Sequence, residues 1–175
     1  MKRIAVFTMM VIAVLALGAP AAMAQTTTPK PPPTYEQVIV NTWKSLHNKI
    51  LTMAKDTVFP ESKLGYKPHP DSRSMYDEFR HVTIGLEMTT ARAKGQEYDF
   101  GAKEKEYDAR PQSRAAIVKE MEAAIAASYA WLDTPGNKPM PQLIGWLDHQ
   151  GEHYGKLVTS YRVNGVVPPV SRPKS

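Results

Sequence analysis

The sequence contains no cysteine. Disulfide bonds, thiolate metal ligands, a cysteine nucleophile and a lipid-modified cysteine at the N-terminus are therefore excluded. A Gly-x-Ser-x-Gly nucleophile motif and a glycine-rich phosphate loop are also missing from the sequence, which removes the usual signatures of serine hydrolases and nucleotide-binding proteins. Because no disulfide can cross-link the chain, a hydrophobic core must supply its stability.

Neither the charge nor the apolar runs indicate a nucleic-acid or membrane protein. The formal net charge of +5 is too small to indicate nucleic acid or an anionic membrane as a partner. The apolar run at residues 4–17 is shorter than the roughly 20 residues that span a bilayer. It follows Lys2 and Arg3 and precedes Ala22-Met23-Ala24, the order typical of a secretory signal peptide with a small-x-small cleavage site.

These features predict four segments and an exported protein. Residues 1–24 are expected to be a signal peptide, so the mature protein would be periplasmic or secreted and free of the membrane. Residues 25–34 are polar and proline-rich and are expected to form an extended leader. Residues 35–165 have the size of one domain. Residues 166–175 contain three prolines and are expected to lie along the surface or to fray.

Apolar residues recur at steps of three and four in four stretches, the spacing of amphipathic helices. The predicted helices cover residues 34–54, 74–95, 113–132 and 142–163. The second is expected to begin at a capping box formed by Ser74 and Asp77. The connections at residues 55–73 and 95–111 are rich in proline or glycine and are expected to contain no helix. The fold class is therefore predicted to be all-α, a four-helix bundle with long crossover connections.

Two histidines carry the strongest chemical signal. His149 and His153 lie four residues apart in the last predicted helix, so their rings share one face, one turn apart, where both can bind one metal ion. They fall at the seam between the apolar stripe and solvent. Neutral imidazole is a good ligand for zinc, nickel, copper or ferrous iron. The spacing alone nevertheless favours a surface pair without a metal, and His81 has no partner nearby in the sequence.

Two parts of the sequence resemble the DinB/YfiT-like superfamily. Residues 149–157, followed by 162–169, are similar to the family's closing helix, where an HxxxH motif precedes glycine, glutamine and leucine. Residues 66–68 and 73–74, which lead into the helix of His81, also resemble the family. Lys156 replaces the usual glutamine, outside the ligand positions.

The resemblance covers about residues 35–169 and implies a three-histidine site. Family members are four-helix bundles that hold a divalent metal through one histidine of the second helix and two of the last. The matching positions here are His81, His149 and His153, with zinc or nickel the leading candidates. The family includes metal-dependent hydrolases, thiol-dependent transferases and isomerases, and members without a known activity. A metal-dependent hydrolase or transferase acting on an unidentified small molecule is therefore the first hypothesis.

Several alternatives remain open. One alternative is a non-catalytic bundle of the cell envelope that binds metal or a small ligand, or that forms a homodimer. Another is a bundle that keeps the three histidines but leaves the site empty. Glu78, one turn before His81, is a candidate acceptor behind a ligand or a general base, but a charge favouring the positive end of its helix is the preferred interpretation. Glu152 is expected to be solvated, and Gly85 is expected to leave room for a group against its backbone.

Overall fold

The computed structural model describes residues 30–137 and 141–173, and the predicted signal peptide lies outside them. The five α-helices found in these two ranges belong to the unit Pro33–Ser175. The described residues form helices, turns and loops but no strand, which confirms the all-α prediction. Within these two ranges no helix is both long and apolar enough to cross a bilayer.

Four of the helices are long and lie within a few residues of their predicted positions. The helices are α1 Tyr35–Lys55, α2 Met75–Ala93, α3 Phe100–Asp108, α4 Arg114–Leu132 and α5 Gln142–Val163, with short 3-10 helices at Glu61–Lys63 and Pro169–Ser171. The capping box predicted for α2 is present, because the Ser74 hydroxyl accepts the backbone N–H of Asp77 and the Asp77 carboxylate accepts the backbone N–H of Ser74. Both bonds satisfy donors that the first turn of a helix leaves free.

Helix α3 corrects the prediction that residues 95–111 contain no helix. Asp99 caps it by accepting a backbone N–H of its first turn, so Gly101 stands near the start of a helix and does not interrupt one. Tyr107 is buried, and its hydroxyl donates a 2.6 Å hydrogen bond to Glu87 of α2. The prediction treated the glycines of the segment as helix breakers. The segment instead contains a capped run of helix-forming residues, and its aromatic side chains pack on α2.

Helix α2 is the most enclosed element, because it packs against α3, α4 and α5, while α1 packs against α4 and α5. Side chains from all four long helices meet in the core, among them Trp43, Phe79, Met121 and Leu157. The indole N–H of Trp43 donates a 3.0 Å hydrogen bond to Ser128, the polar interruption in the stripe of α4. The shared core therefore holds α2 and α5 together, with the histidine-bearing faces of the two helices in contact.

The described part of the C-terminal tail lies along the surface, the first of its two predicted arrangements. The Arg172 guanidinium donates hydrogen bonds of 2.9 and 2.5 Å to the carboxylate of Asp56, which follows the last turn of α1. The Asp56 side chain is only 8% exposed. This paired contact joins the tail to the helical core.

Candidate metal centre

The structure brings His81 of α2 together with His149 and His153 of α5. One nitrogen of each ring lies within 4.8 Å of the corresponding nitrogens of the other two. The Nε2 atoms of His149 and His153 are 3.0 Å apart. The ring centroid of His81 is 4.6 Å from that of His153 and 5.7 Å from that of His149. Two helices distant in sequence thus present three imidazoles to one point.

Glu78 fixes the orientation of the His153 ring. Its Oε1 lies 2.6 Å from Nδ1 of His153, and both side chains are buried. Burial alone raises the pKa of Glu78, but the hydrogen bond with His153 and the charges of Lys156 and Arg73 hold that pKa below its ordinary value. The ionised carboxylate can only accept, so Nδ1 of His153 donates. In the neutral ring the lone pair then resides on Nε2, which faces His149.

The pKa values of His81 and His149 favour their neutral forms. Burial and, to a smaller extent, the positive charge of Arg73 lower the pKa of His81 to about 4. Burial also lowers the pKa of His149, with a smaller contribution from the neighbouring His153. Because metal ions bind the deprotonated nitrogen of imidazole, both rings are ready to act as ligands near neutral pH.

The donor set suits a divalent transition metal. Imidazole nitrogens bound to one tetrahedral zinc ion at about 2.0–2.1 Å lie about 3.4 Å from each other. In the cluster one pair of nitrogens lies 3.0 Å apart, and all three lie within 4.8 Å of one another. The buried Nδ1 of His81 has no hydrogen-bond partner among the described residues. Three imidazoles, one of them hydrogen-bonded to a carboxylate through its other ring nitrogen, match the usual arrangement of metal-binding histidines.

Helix α3 supplies a wall of the site that the sequence prediction missed. Phe100 stacks edge-on against His81, with ring centroids 5.2 Å apart. Glu104 places Oε1 3.9 Å from Nδ1 of His81, longer than a hydrogen bond, and 3.8 Å from the Arg73 guanidinium. On the other side, Trp146 packs edge-on against His149 at 5.2 Å. Aromatic rings therefore flank the imidazoles, and a second carboxylate stands beside them.

Gln150 occupies the space that Gly85 leaves on α2. Its side chain is buried, and its Nε2 donates a 3.2 Å hydrogen bond to the carbonyl oxygen of Val82. A Cβ at Gly85 would lie only 3.2 Å from that nitrogen. The glycine thus allows the amide to reach the α2 backbone next to the histidines, and Gln150 is a positioning residue that the sequence prediction did not single out.

Some predicted positions agree with the structure and others need correction. Glu152 is exposed as expected, and His69 is exposed in the connection before α2. His153 is buried instead of lying at the seam with solvent, because α2 and Glu78 cover it. Glu78 lies in the first turn of α2, as the preferred interpretation requires, and it is also the acceptor behind His153, the other role considered. Helix position alone does not reveal the second role, because His153 comes from α5.

The comparisons with protein families and with curated proteins identify no relative of this chain. No protein-family model matches the chain, and no curated protein matches it. The site is therefore described from its geometry alone. It is a cluster of three histidines from two helices, with a carboxylate behind one of them.

Proposed function

We propose that the protein binds one divalent metal ion through His81, His149 and His153. The observation that carries the proposal is the convergence of one imidazole from α2 and two from α5 within 4.8 Å. The hydrogen bond from His153 to Glu78 supports it, because metal-binding histidines usually donate their other ring nitrogen to a carboxylate or carbonyl. Imidazole donors suit zinc, nickel, copper and ferrous iron, and zinc and nickel are the candidates we favour.

The proposed enzymatic role is metal-dependent hydrolysis or group transfer on a small molecule. Three protein ligands leave coordination positions for water or substrate, and a bound metal would supply a Lewis acid and lower the pKa of water there. Within the chain, Glu78 holds the His153 ring in place. Glu104 lies 3.9 Å from His81 and is partly exposed, so it is the candidate acceptor for a proton released at the site.

A non-catalytic metal- or ligand-binding protein of the cell envelope is the second candidate. The observation that favours it is the commitment of Glu78 to His153. That carboxylate serves as an orienting acceptor and is not free to take a proton from a reactant. Catalysis therefore depends on Glu104, whose contact with His81 is longer than a hydrogen bond.

We further propose a DinB-like four-helix bundle that is exported. The pairwise packing of α1, α2, α4 and α5 supports the bundle, with α3 as an addition within the crossover between α2 and α4. The positions of the three histidines, one on the second long helix and two on the last, support the family. Export depends on residues 1–24 of the sequence and is tested by N-terminal sequencing of the mature protein.

Metal content tests the proposed function. The protein is purified without a histidine tag, and bound metal is measured by mass spectrometry for the wild type and for His149→Ala and His153→Ala. We expect one divalent ion per chain in the wild type and loss of it in both variants. His69→Ala is the matched control, because this exposed histidine lies outside the cluster and its loss should leave the metal in place. A wild type without metal after loading, or variants that retain it, would contradict the proposal.

A substrate screen separates the enzyme from the binder. The metal-loaded wild type is assayed against ester, amide and thiol-transfer substrates alongside Glu104→Gln. Activity that falls with Glu104→Gln while metal content is unchanged supports catalysis with Glu104 as proton acceptor. Activity that survives His81→Ala would remove the cluster from the mechanism.

A further inference from the structure

A polar cavity lies beside the histidine cluster. It has a volume of about 520 Å³ and is bordered by the loop before α2, by the first turn of α2 and by α5. Arg73 and Lys156 line it, as do the polar residues Ser72 and Ser160. A space of this size accommodates a small organic molecule, with the two cations as possible donors.

The two cations keep donors available for a ligand. The Arg73 guanidinium lies 3.8 Å from Glu104, and the Lys156 ammonium lies 3.9 Å from Glu78. Both contacts are longer than a hydrogen bond. Each cationic side chain is also partly exposed, at 42% and 58%, so each can turn toward a bound anion without breaking a packed contact.

Two acidic side chains, Glu78 and Asp71, also border the cavity, and neither accepts a hydrogen bond from Arg73 or Lys156. Glu78 borders the cavity, but its Oε1 already accepts the hydrogen bond from buried His153. Asp71 is the other acid in the lining, and its side chain is 92% exposed and lies 3.6 Å from His69. The cavity therefore presents donors from Arg73 and Lys156 that are not engaged in hydrogen bonds with other described residues, an arrangement that favours a carboxylate or phosphate group.

Glu78 connects the cavity with the histidine cluster. The same side chain borders the cavity and contacts His153. Arg73 similarly reaches Glu104, which in turn lies 3.9 Å from His81. The cavity and the histidine cluster thus share Glu78 as a common border, and none of the three histidines lines the cavity itself.

We propose that this cavity binds the anionic group, a carboxylate or a phosphate, of the small molecule on which the histidine site acts. Arg73 and Lys156 recognise the anion, beside the polar residues Ser72 and Ser160. The substrate class is therefore a small anion. The anion-binding part stands on the cavity alone, whereas the statement that this anion is the substrate rests on the proposed metal function.

Calorimetric titration tests the anion site directly. Succinate and inorganic phosphate are titrated, at low ionic strength, into the tag-free protein as isolated and after removal of metal with a chelator. We expect saturable binding of at least one ion in both preparations. Whichever of the two binds more tightly identifies the anionic group as carboxylate or phosphate. Absence of saturable binding of both ions would overturn the proposal.

Three variants locate the binding. Arg73→Met and Lys156→Met keep the aliphatic stem and remove the charge, and each is expected to weaken the anion about tenfold, the factor for loss of one charge-assisted hydrogen bond. Lys55→Met removes the same charge from the end of α1, where Lys55 pairs with Glu122, and is expected to change affinity less than twofold. Equal affinities for all three variants would place the anion elsewhere and overturn the proposal.

One further variant separates this inference from the metal site. His149→Ala removes a proposed metal ligand that does not line the cavity. In chelator-treated protein we expect it to bind the anion as the wild type does. Anion binding by a wild-type protein that takes up no metal after loading would show the cavity to be correct and the proposed metal function to be wrong. Anion binding lost in this variant would overturn the cavity as the site.

Discussion

Glu78 on α2 and His153 on α5 are joined by a 2.6 Å hydrogen bond between two buried side chains. The bond fixes the Nδ1–H tautomer and turns Nε2 of His153 toward His149, 3.0 Å away. It also spans the interface between the two helices that carry the cluster. A single carboxylate thus controls both the donor atom and the direction of one ring.

Removing that carboxylate should weaken metal binding. Glu78→Ala leaves Nδ1 of His153 without its acceptor, and we expect a loss of about 10–100-fold in metal affinity, the usual effect of losing such a partner. Glu78→Gln retains an acceptor oxygen and should lose less. The measurement is competition with a chelator of known affinity. Glu152→Gln is the control, since this exposed side chain is on the same helix as His149 and His153. Unchanged affinity in Glu78→Ala would contradict the orienting role.

Gly85 and Gln150 should be energetically coupled. Alanine in a helix is more stable than glycine by about 0.5–1 kcal/mol, but a Cβ at Gly85 would lie 3.2 Å from Gln150 Nε2. We therefore expect Gly85→Ala to raise the free energy of unfolding of the Gln150→Ala variant by that amount. In the wild-type background we expect a smaller increase in the free energy of unfolding, or a decrease. Urea unfolding of the four proteins measures the coupling. The same change in both backgrounds would contradict the close approach.

His47 should make stability depend on pH. Burial lowers its pKa from 6.5 to about 4, with Nδ1 bonded to the Trp43 carbonyl and Nε2 unpaired. As pH falls, the unfolded chain takes up the proton first, so stability is complete above about pH 6.5 and is lost between 6.5 and about 4. The loss is on the order of 3 kcal/mol for that difference in pKa.

Unfolding of chelator-treated protein across this pH range measures the effect. His47→Phe keeps a ring beside Trp43 and should flatten the profile between pH 6.5 and 4, while His81 and His149 contribute equally to both proteins. His69→Phe, at an exposed position, should retain the wild-type slope. A His47→Phe profile as steep as the wild type would mean that His47 does not titrate in this way.

The tail contact should contribute to stability. Arg172 donates two hydrogen bonds to the nearly buried Asp56, and Arg172→Ala should lower the free energy of unfolding by about 1–2 kcal/mol, allowing for the partly exposed arginine. Arg92→Ala, at an exposed arginine of α2, should change it by less than about 0.5 kcal/mol. Thermal unfolding in low and high salt measures both, and equal effects of the two substitutions would refute the contribution.

The long helices were predictable because each carries its own local signals. Periodic apolar residues and the Ser74–Asp77 cap act within a few residues of one another, so they can be read along the chain. Helix α3 was missed because Phe100 and Tyr107, its aromatic side chains on the core side, need α2 to pack against. Its hydrogen bond from Tyr107 to Glu87 joins residues far apart in the sequence, and helix periodicity does not report such contacts.

The histidine site was only partly contained in the sequence. The spacing of His149 and His153 predicts one shared face, and the resemblance to a family supplied His81. The roles of Glu78, Gln150 and Glu104 arise from how α2, α3 and α5 pack, with partners such as Glu78 and His153 brought together from distant positions. A carboxylate near a helix start looks like a dipole charge until the neighbouring helix is placed.

The most direct test of the central claim is X-ray absorption spectroscopy of the zinc-loaded protein, with His81→Ala alongside. We predict three imidazole nitrogens at about 2.0–2.1 Å from the metal in the wild type and two in the variant. Fewer than three imidazoles in the wild type, or an unchanged spectrum in His81→Ala, would contradict a site built from His81, His149 and His153.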